Sequence, residues 1–427
     1  METACKAVRL KSFAIPAART YRSKNSDAVC VARRLGMAKF VLAAVLCALA
    51  VPFLVMNAVR ENSALAEWWV INVQNGFVRF AGTLTSWLPV SVLELFVVTL
   101  IGGGLYLFAR LFVNLCRARF SRVLTGLLSI GVGVMYVLDL YMMSMGFGYY
   151  RAAMPLPSAG EDYKIEQTVA AVRYFLDDYN KLAKTLPRDK DGLVIRPYSV
   201  RTLSEKLKAE FARIDNGYLS DYTPNVKPIV NSWFLSDVLI TGITFLPVGE
   251  ANVNVAAPPT SVTFTAAHEL AHTKGIQREG DANLIAEYVL LSSSDDYLRY
   301  CGYYEAFSDL AYAVALAGDK QEYLNIIAEV DPLVYAERRY AAQYWASQPD
   351  IMGKIGEFFN NLYLQSNGVS NGTGSYDDGN KTDVITPINP DTGKPEADPD
   401  TGKPIVIPVY SQLQRLCFYL YENTQKQ

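Results

Sequence analysis

Apolar residues are concentrated in three runs near the start of the chain, at about residues 40–56, 92–109 and 123–147. Each has the length and composition of a bilayer-spanning helix. The first is short with Pro52 near its end, and the second carries Gly102, Gly103 and Gly104. Beyond residue 150 the pattern turns amphipathic. Val169, Val172, Phe175, Leu176 and Leu182 recur at helical spacing and predict a helix over residues 160–186. A second helix is expected over 203–214, where Thr202 and Glu205 have the spacing of a capping box. Residues 233–255 are rich in Val, Ile, Phe and Thr, broken by Gly242, Pro247 and Gly249, and read as extended. After Pro258-Pro259, further helices are expected to about residue 364, with a last one over 410–421. Residues 367–405 interrupt this pattern. They are dominated by Asn, Gly, Asp, Thr and Pro, repeat Pro-Asp-Thr-Gly-Lys-Pro at 390–395 and 399–404, and read as an exposed inserted loop.

The expected fold class is therefore an α-helical membrane anchor of three transmembrane helices, followed by a mainly α, α+β domain. The boundaries are 1–39 for a basic N-terminal segment, 40–150 for the membrane region and 151–427 for the domain. Charge sets the orientation. Residues 1–39 hold nine Lys and Arg against Glu2 and Asp27. The connection between the second and third spans carries Arg110, Arg117, Arg119 and Arg122 without an acid. The connection between the first and second carries Arg60 and Arg79 against Glu61 and Glu67, with Trp68, Trp69 and Trp87 as interfacial aromatics. Positive-inside bias then makes the N-terminus cytoplasmic and the C-terminal domain extracytoplasmic. The first apolar run starts too far in for a cleaved signal peptide. Ser91 and Glu94 have capping-box spacing at the start of the second span, and Asp139 in the third is either an intramembrane acid with a functional role or, as preferred, a residue near the outer interface.

A hydrophobic content of 51% is too high for an ordinary soluble enzyme, and a net charge of −2 gives no case for nucleic-acid binding. Of six cysteines, Cys5 and Cys30 fall on the cytoplasmic side, Cys47 and Cys116 in or beside the spans, and Cys301 and Cys417 in the domain, where an oxidising compartment would allow them to pair.

The candidate chemistry rests on the chain's two histidines, His268 and His272, which frame Glu269 in His-Glu-Leu-Ala-His. Four residues are one helical turn, so both imidazoles share a face and can hold Zn²⁺ while Glu269 activates a water. A catalytic zinc takes a third protein ligand, and the nearby candidates are Glu279, Asp281, Glu287 and Glu305. Gly275 allows the chain to reverse after the motif helix, and Glu279 then opens a second helix whose first turn can face the metal. Glu279 is the preferred ligand, and Asn283, one turn further on, is suited to orient a histidine. Asn252-Val253-Asn254 could be the sheet edge on which a peptide backbone is added as a strand.

Several pieces resemble a family of bacterial multi-pass membrane proteins known as domain of unknown function 3810. They are Pro-Val-Ser-Val-Leu-Glu at 89–94, Gly-Phe-Gly-Tyr-Tyr-Arg at 146–151, Phe-Leu-Pro-Val-Gly-Glu-Ala-Asn-Val-Asn at 245–254, the motif at 268–272, Arg-Glu-Gly-Asp-Ala-Asn at 278–283 and Tyr-Leu-Gln-Ser-Asn-Gly at 363–368. That family looks like a membrane-anchored branch of the gluzincin metallopeptidases, so the resemblance implies a zincin-like domain and a peptidase-like site. Membrane gluzincins place their third ligand in an Arg-Glu-x-x-Ala-Asp type motif. Residues 278–283 match it with Asn283 for the final Asp, which implies Glu279 as ligand. Asp281 departs from the expected Glu at a non-ligand position, and the stretch near 380–405 is peculiar to this chain.

The expected function is that of a membrane-anchored zinc-dependent metallohydrolase, a peptidase acting outside the cytoplasmic membrane on a peptide or protein substrate. His268, His272 and Glu279 hold Zn²⁺ and Glu269 is the catalytic base. With no third histidine, the oxyanion donor must be a tyrosine or an arginine. The alternatives are a non-catalytic zinc-stabilised sensor or scaffold and a transporter or channel.

Overall fold

The computed structural model describes residues 16–160, 163–214, 217–390, 392–397 and 407–426, with side chains from residue 36 onward. Much of the basic N-terminal segment and the second Pro-Asp-Thr-Gly-Lys-Pro copy lie outside the described residues. The chain is mostly helical. Helix α1 (Pro16–Val59) is followed by α2 (Ser63–Trp69), α3 (Asn75–Thr85), α4 (Val92–Cys116) and α5 (Phe120–Tyr141). Next come α6 (Ile165–Thr185), α7 (Val200–Ile214), β1 (Val226–Pro228), α8 (Ser232–Asp237), β2 (Gly242–Phe245) and β3 (Glu250–Val253). The motif helix α9 (Pro259–Thr273), α10 (Glu279–Leu291), α11 (Asp296–Leu316), α12 (Lys320–Ala328), α13 (Pro332–Ala346) and α14 (Asp350–Ser366) lead to β4 (Asp383–Ile385), β5 (Ile407–Val409) and α15 (Gln412–Gln425).

Among the described residues, three helical stretches are long and apolar enough to cross a membrane: Gly36–Val59, Val92–Cys116 and Phe120–Tyr150. All are longer than the apolar runs, because a helix continues through the flanking Gly, Ser and Arg residues that end a hydropathy window. The third continues past α5 through a π-helical turn (Met142–Gly146) and a 3₁₀ turn (Gly148–Tyr150).

The described residues form two compact units. One comprises those up to Val55 with Leu100–Asp139; the other joins Met56–Thr99 to Leu140–Gln427. In the first, Lys39 Nζ donates to Ser121 Oγ at 3.0 Å. In the second, α9, α10, α11 and α6 pack around a core holding Leu176, Leu270, Leu290 and Leu310, all at most 1% exposed. Tyr179 fills its centre, its ring 5.4–5.6 Å from those of Tyr300, Tyr303 and Phe307. α9 packs on a three-stranded sheet of order β1-β3-β2, with β1 parallel and β2 antiparallel to β3. Cys301 and Cys417 are both buried, free thiols.

Several local expectations change. Residues 233–237 are helical, because the Glu94 carboxylate accepts the Val230 and Asn231 N–H groups at 2.8 and 2.9 Å and fixes the entry to α8. Glu94 therefore does not close a capping box on α4; Ser91 accepts the Glu94 N–H, and the Val92 and Leu93 N–H groups go to Glu250. α7 starts at Val200 with Ser199 Oγ accepting the Thr202 N–H, so the cap lies ahead of Thr202. Asn252 and Val253 lie on β3, the central strand, so they are no edge. Finally, Gly372–Asn380 is a 3₁₀ segment packed on α10 rather than exposed loop, while β4 with β5 forms a small hairpin after it.

Candidate metal centre

α9 is buried along nearly its whole length, which its small residues Ala266, Ala267 and Ala271 permit. His268, Glu269 and His272 are each 5–7% exposed. The helix ends where Gly275 adopts φ +93°, a left-handed conformation that suits glycine. The Gly275 N–H then bonds His272 O and the Ile276 N–H bonds Ala271 O. A side chain at Gly275 would also meet Val70 Cγ1 at 2.8 Å. The reversal brings Ile276 O within 2.7 Å of His272 Nδ1. A carbonyl only accepts, so His272 Nδ1 carries the proton and Nε2 faces the site. His268 is fixed in the same way by Asn283 Oδ1, 2.7 Å from its Nδ1.

Arg278 precedes α10, and Glu279 is its first residue. Glu279 Oε2 lies 3.2 Å from His268 Nε2 and 3.4 Å from His272 Nε2, and the two Nε2 atoms are 3.0 Å apart. Among the described residues this is the group of His, Cys, Asp and Glu whose ligand atoms converge, all within 4.8 Å of one another. Burial opposes ionisation of Glu279, but His272 and His268 outweigh it and hold the carboxyl well below its usual range. Burial also opposes charge on His272, yet Glu279 and Glu269 raise it to about 9. The remaining candidate ligands lie elsewhere. Asp281 pairs with Arg278 at 2.6 Å. Glu287 is buried further along α10, with Asp309 and Glu305 as its charged neighbours.

The donor set suits zinc: two imidazole nitrogens and a carboxylate oxygen at mutual distances close to those around a tetrahedral ion, with both Nδ1 atoms occupied by second partners. Glu269 lies beside them. Its Oε2 accepts a hydrogen bond from Thr244 Oγ1 at 2.7 Å, and burial raises its pKa against the lowering effect of the two histidines. Thr244 comes from the outer strand β2, which passes so close to α9 that a Cβ on Gly242 would approach Thr265 Cγ2 to 2.4 Å and Glu269 Oε1 to 2.6 Å.

A second wall was not legible in the sequence. The 3₁₀ segment presses on α10 where a Cβ on Gly280 would meet Ser375 O at 2.8 Å. Asn283 Nδ2 donates to Tyr376 O at 2.9 Å, and the Tyr376 ring stacks on His268 with centroids 6.2 Å apart. Glu279 and Asn360 are the polar neighbours of the Tyr376 hydroxyl, and burial raises its pKa strongly. Behind it Tyr149 donates to Tyr363 at 2.9 Å. Arg151, 2% exposed, holds this side together by bonding both Glu67 carboxylate oxygens at 2.8 Å and the Tyr218 carbonyl at 2.8 Å. Gly242 read as a strand breaker and Tyr376 as part of a loop. No periodicity marks either, although Tyr149 and Arg151 sit in the 146–151 piece.

A family model described as a protein of unknown function, DUF3810, matches residues 72–379, well over half of the chain, and includes Thr244, His268, Glu269, His272, Glu279, Asn283 and Tyr376. No curated protein and no solved structure matches the chain.

Proposed function

The chain belongs to the DUF3810 family of proteins of unknown function, and we propose that it is a membrane-anchored zinc-dependent metallohydrolase that cleaves peptide bonds. The reading is carried by one observation: His268 Nε2, His272 Nε2 and Glu279 Oε2 converge, with the Glu269 carboxylate beside them on the same helix face. A purely structural site has no need of that fourth group. The same reading makes the helical domain with its short sheet zincin-like and of gluzincin type. The basic N-terminal segment and the arginines between the second and third spans support an extracytoplasmic position for it.

Bound zinc would lower the pKa of a water and polarise the scissile carbonyl. Its ligands must be deprotonated, so zinc competes with the proton that Glu279 favours on His272. Glu269, held by Thr244, takes the proton of the attacking water and passes it to the leaving amine. Tyr376, stacked on His268, supplies the hydroxyl that stabilises the oxyanion. The substrate backbone adds as a strand along β2, the outer strand next to Glu269.

The test is metal analysis and digestion of a peptide library by the purified full chain, wild type against Glu269→Gln. Equimolar zinc in both, with cleavage by the wild type alone, is the expected result. Wild type without zinc, or full cleavage by the variant, overturns the proposal. Bound zinc whose removal unfolds the protein, with no peptide cut, would favour the scaffold alternative.

A further inference from the structure

Helix α14 carries Ile351, Ile355, Phe358, Phe359 and Leu362, each 43–70% exposed. On a helix turning 100° per residue these five lie within an arc of about 100°, the width of a buried stripe rather than of scattered surface residues. The other side of the same helix is occupied. Gly353 and Gly356 let it lie directly on the segment after α8, where added Cβ atoms would meet Leu239 Cδ1 at 2.8 Å and Val238 O at 2.2 Å. Asn361 Oδ1 accepts the Thr373 N–H of the 3₁₀ segment at 2.9 Å. The apolar stripe is thus the face left without a protein partner among the described residues, and α8 adds Trp233 and Phe234, 63% and 44% exposed, to the same region.

What covers this face follows from its attachments. α8 is entered through the two backbone N–H groups held by Glu94, near the start of the second candidate span. The end of α14 is held by Arg60 Nη2 on Ser366 O at 3.0 Å, one residue past the first span. It is held again by the Tyr141 hydroxyl on Asn367 Oδ1 at 2.5 Å, within the third span. Three consecutive spans bring the end of the first, the start of the second and the end of the third to one face of a bilayer. Both elements are therefore fastened at the depth where hydrocarbon gives way to headgroups. An amphipathic helix there lies in the interface plane with its apolar residues among the acyl chains, and an exposed tryptophan suits the same layer.

We infer that α14 and α8 form an interfacial membrane-docking surface, in which the stripe from Ile351 to Leu362 and the aromatic pair of α8 insert into the lipid. The partner is the bilayer itself. The inference is independent of the hydrolase reading. If both hold, the opposite side of α14, which reaches Tyr376 through Asn360, keeps the metal centre at the membrane surface.

The full chain, with its cysteines replaced by serine and reconstituted in phosphatidylcholine nanodiscs, tests this with a nitroxide at Phe358→Cys and, at an exposed position of α14 off the stripe, at Glu357→Cys. Power saturation is expected to show the label at 358 relaxed by oxygen in preference to a water-soluble nickel chelate, with the ratio inverted at 357. Free access of the chelate to 358 overturns the proposal. So does a label at 358 shielded from both reagents, which identifies a second copy or another protein as the occupant. Should the labelled variants not fold, quenching of tryptophan emission by doxyl phosphatidylcholine serves instead. The quenched fraction is expected to fall in Trp233→Phe, and an unchanged fraction overturns the proposal.

Discussion

The side-chain oxygen of Asn283 lies 2.7 Å from Nδ1 of His268. Asn283 is one turn beyond Glu279 on α10, so one helix face supplies both the carboxylate that meets the two imidazoles and the group that fixes the His268 ring. The Asn283 amide nitrogen also holds Tyr376 O. Asn283→Ala is expected to weaken zinc binding by roughly 10–100-fold, the usual effect of removing such a partner. Competition with a chromophoric chelator measures this, and an unaltered dissociation constant would show that the contact does not orient the ring.

Glu279→Ala is expected to remove equimolar zinc from the purified protein, whereas Asp281→Ala leaves it, because Asp281 faces Arg278 instead of the histidines. Metal content by atomic emission separates the two. Zinc retained by the Glu279 variant would refute the three-ligand set.

Tyr376→Phe keeps the ring on His268 and deletes the hydroxyl near Glu279. On the oxyanion reading, kcat for a cleaved peptide falls by about 10²-fold while KM and zinc content hardly change. A loss confined to KM would make Tyr376 a substrate contact only.

Lys227 and Glu250 form an ion pair in which both side chains are at most 2% exposed. Lys227 also donates to Thr85 O at 2.8 Å. Glu250 accepts from the Val92 and Leu93 N–H groups and so supplies acceptors to the start of α4. Lys227→Met leaves a buried carboxylate without its cation and is expected to cost about 3–5 kcal/mol. Adding Glu250→Gln should recover part of that loss. Thermal unfolding of the single and double variants checks it, and equal losses would show that the pair is not coupled.

Glu287 sits deep in α10 with acidic neighbours, and burial pushes its pKa well above 4.5. Burial raises Glu305 to about 7. Below pH 4.5 both states are protonated and the contribution of these acids is intact. As pH rises, the unfolded chain ionises first, so stability is lost through the interval up to the folded pKa, about 1.4 kcal/mol for each pH unit that separates the unfolded from the folded pKa. Glu287→Gln is expected to flatten the loss between pH 5 and 8 and to stabilise the protein at pH 8. Unfolding midpoints that fall with pH as steeply in the variant as in the wild type would place the dependence elsewhere.

Much of this architecture is written locally. The three apolar stretches, the amphipathic helix ending at Thr185, the stop at Gly275 and the restart at Glu279 are each decided within one or two turns, by side-chain periodicity and the freedom of one glycine. Other features escaped the same reading. The helix at 232–237 starts because Glu94, more than a hundred residues earlier, accepts its leading N–H groups. β3 is central because β1, some twenty residues before it, pairs with its second side. The segment 372–380 has the composition of a loop and still forms a wall of the centre, because Gly280 lets its backbone approach α10.

The sequence by itself determined that three helices have the length and hydropathy of membrane spans, that His268, Glu269 and His272 share a helix face and that Glu279 opens the next helix, since all of these depend on short-range spacing. Only the tertiary structure decided that Glu279 converges with both histidines, that Asn283 and Ile276 O fix their rings, that Thr244 holds Glu269 and that Tyr376 closes the site. Those contacts are made by side chains and backbone groups brought together only by packing, where a close approach at a glycine or a buried polar group seeking a partner selects the neighbour, and neither leaves a periodic trace along the chain.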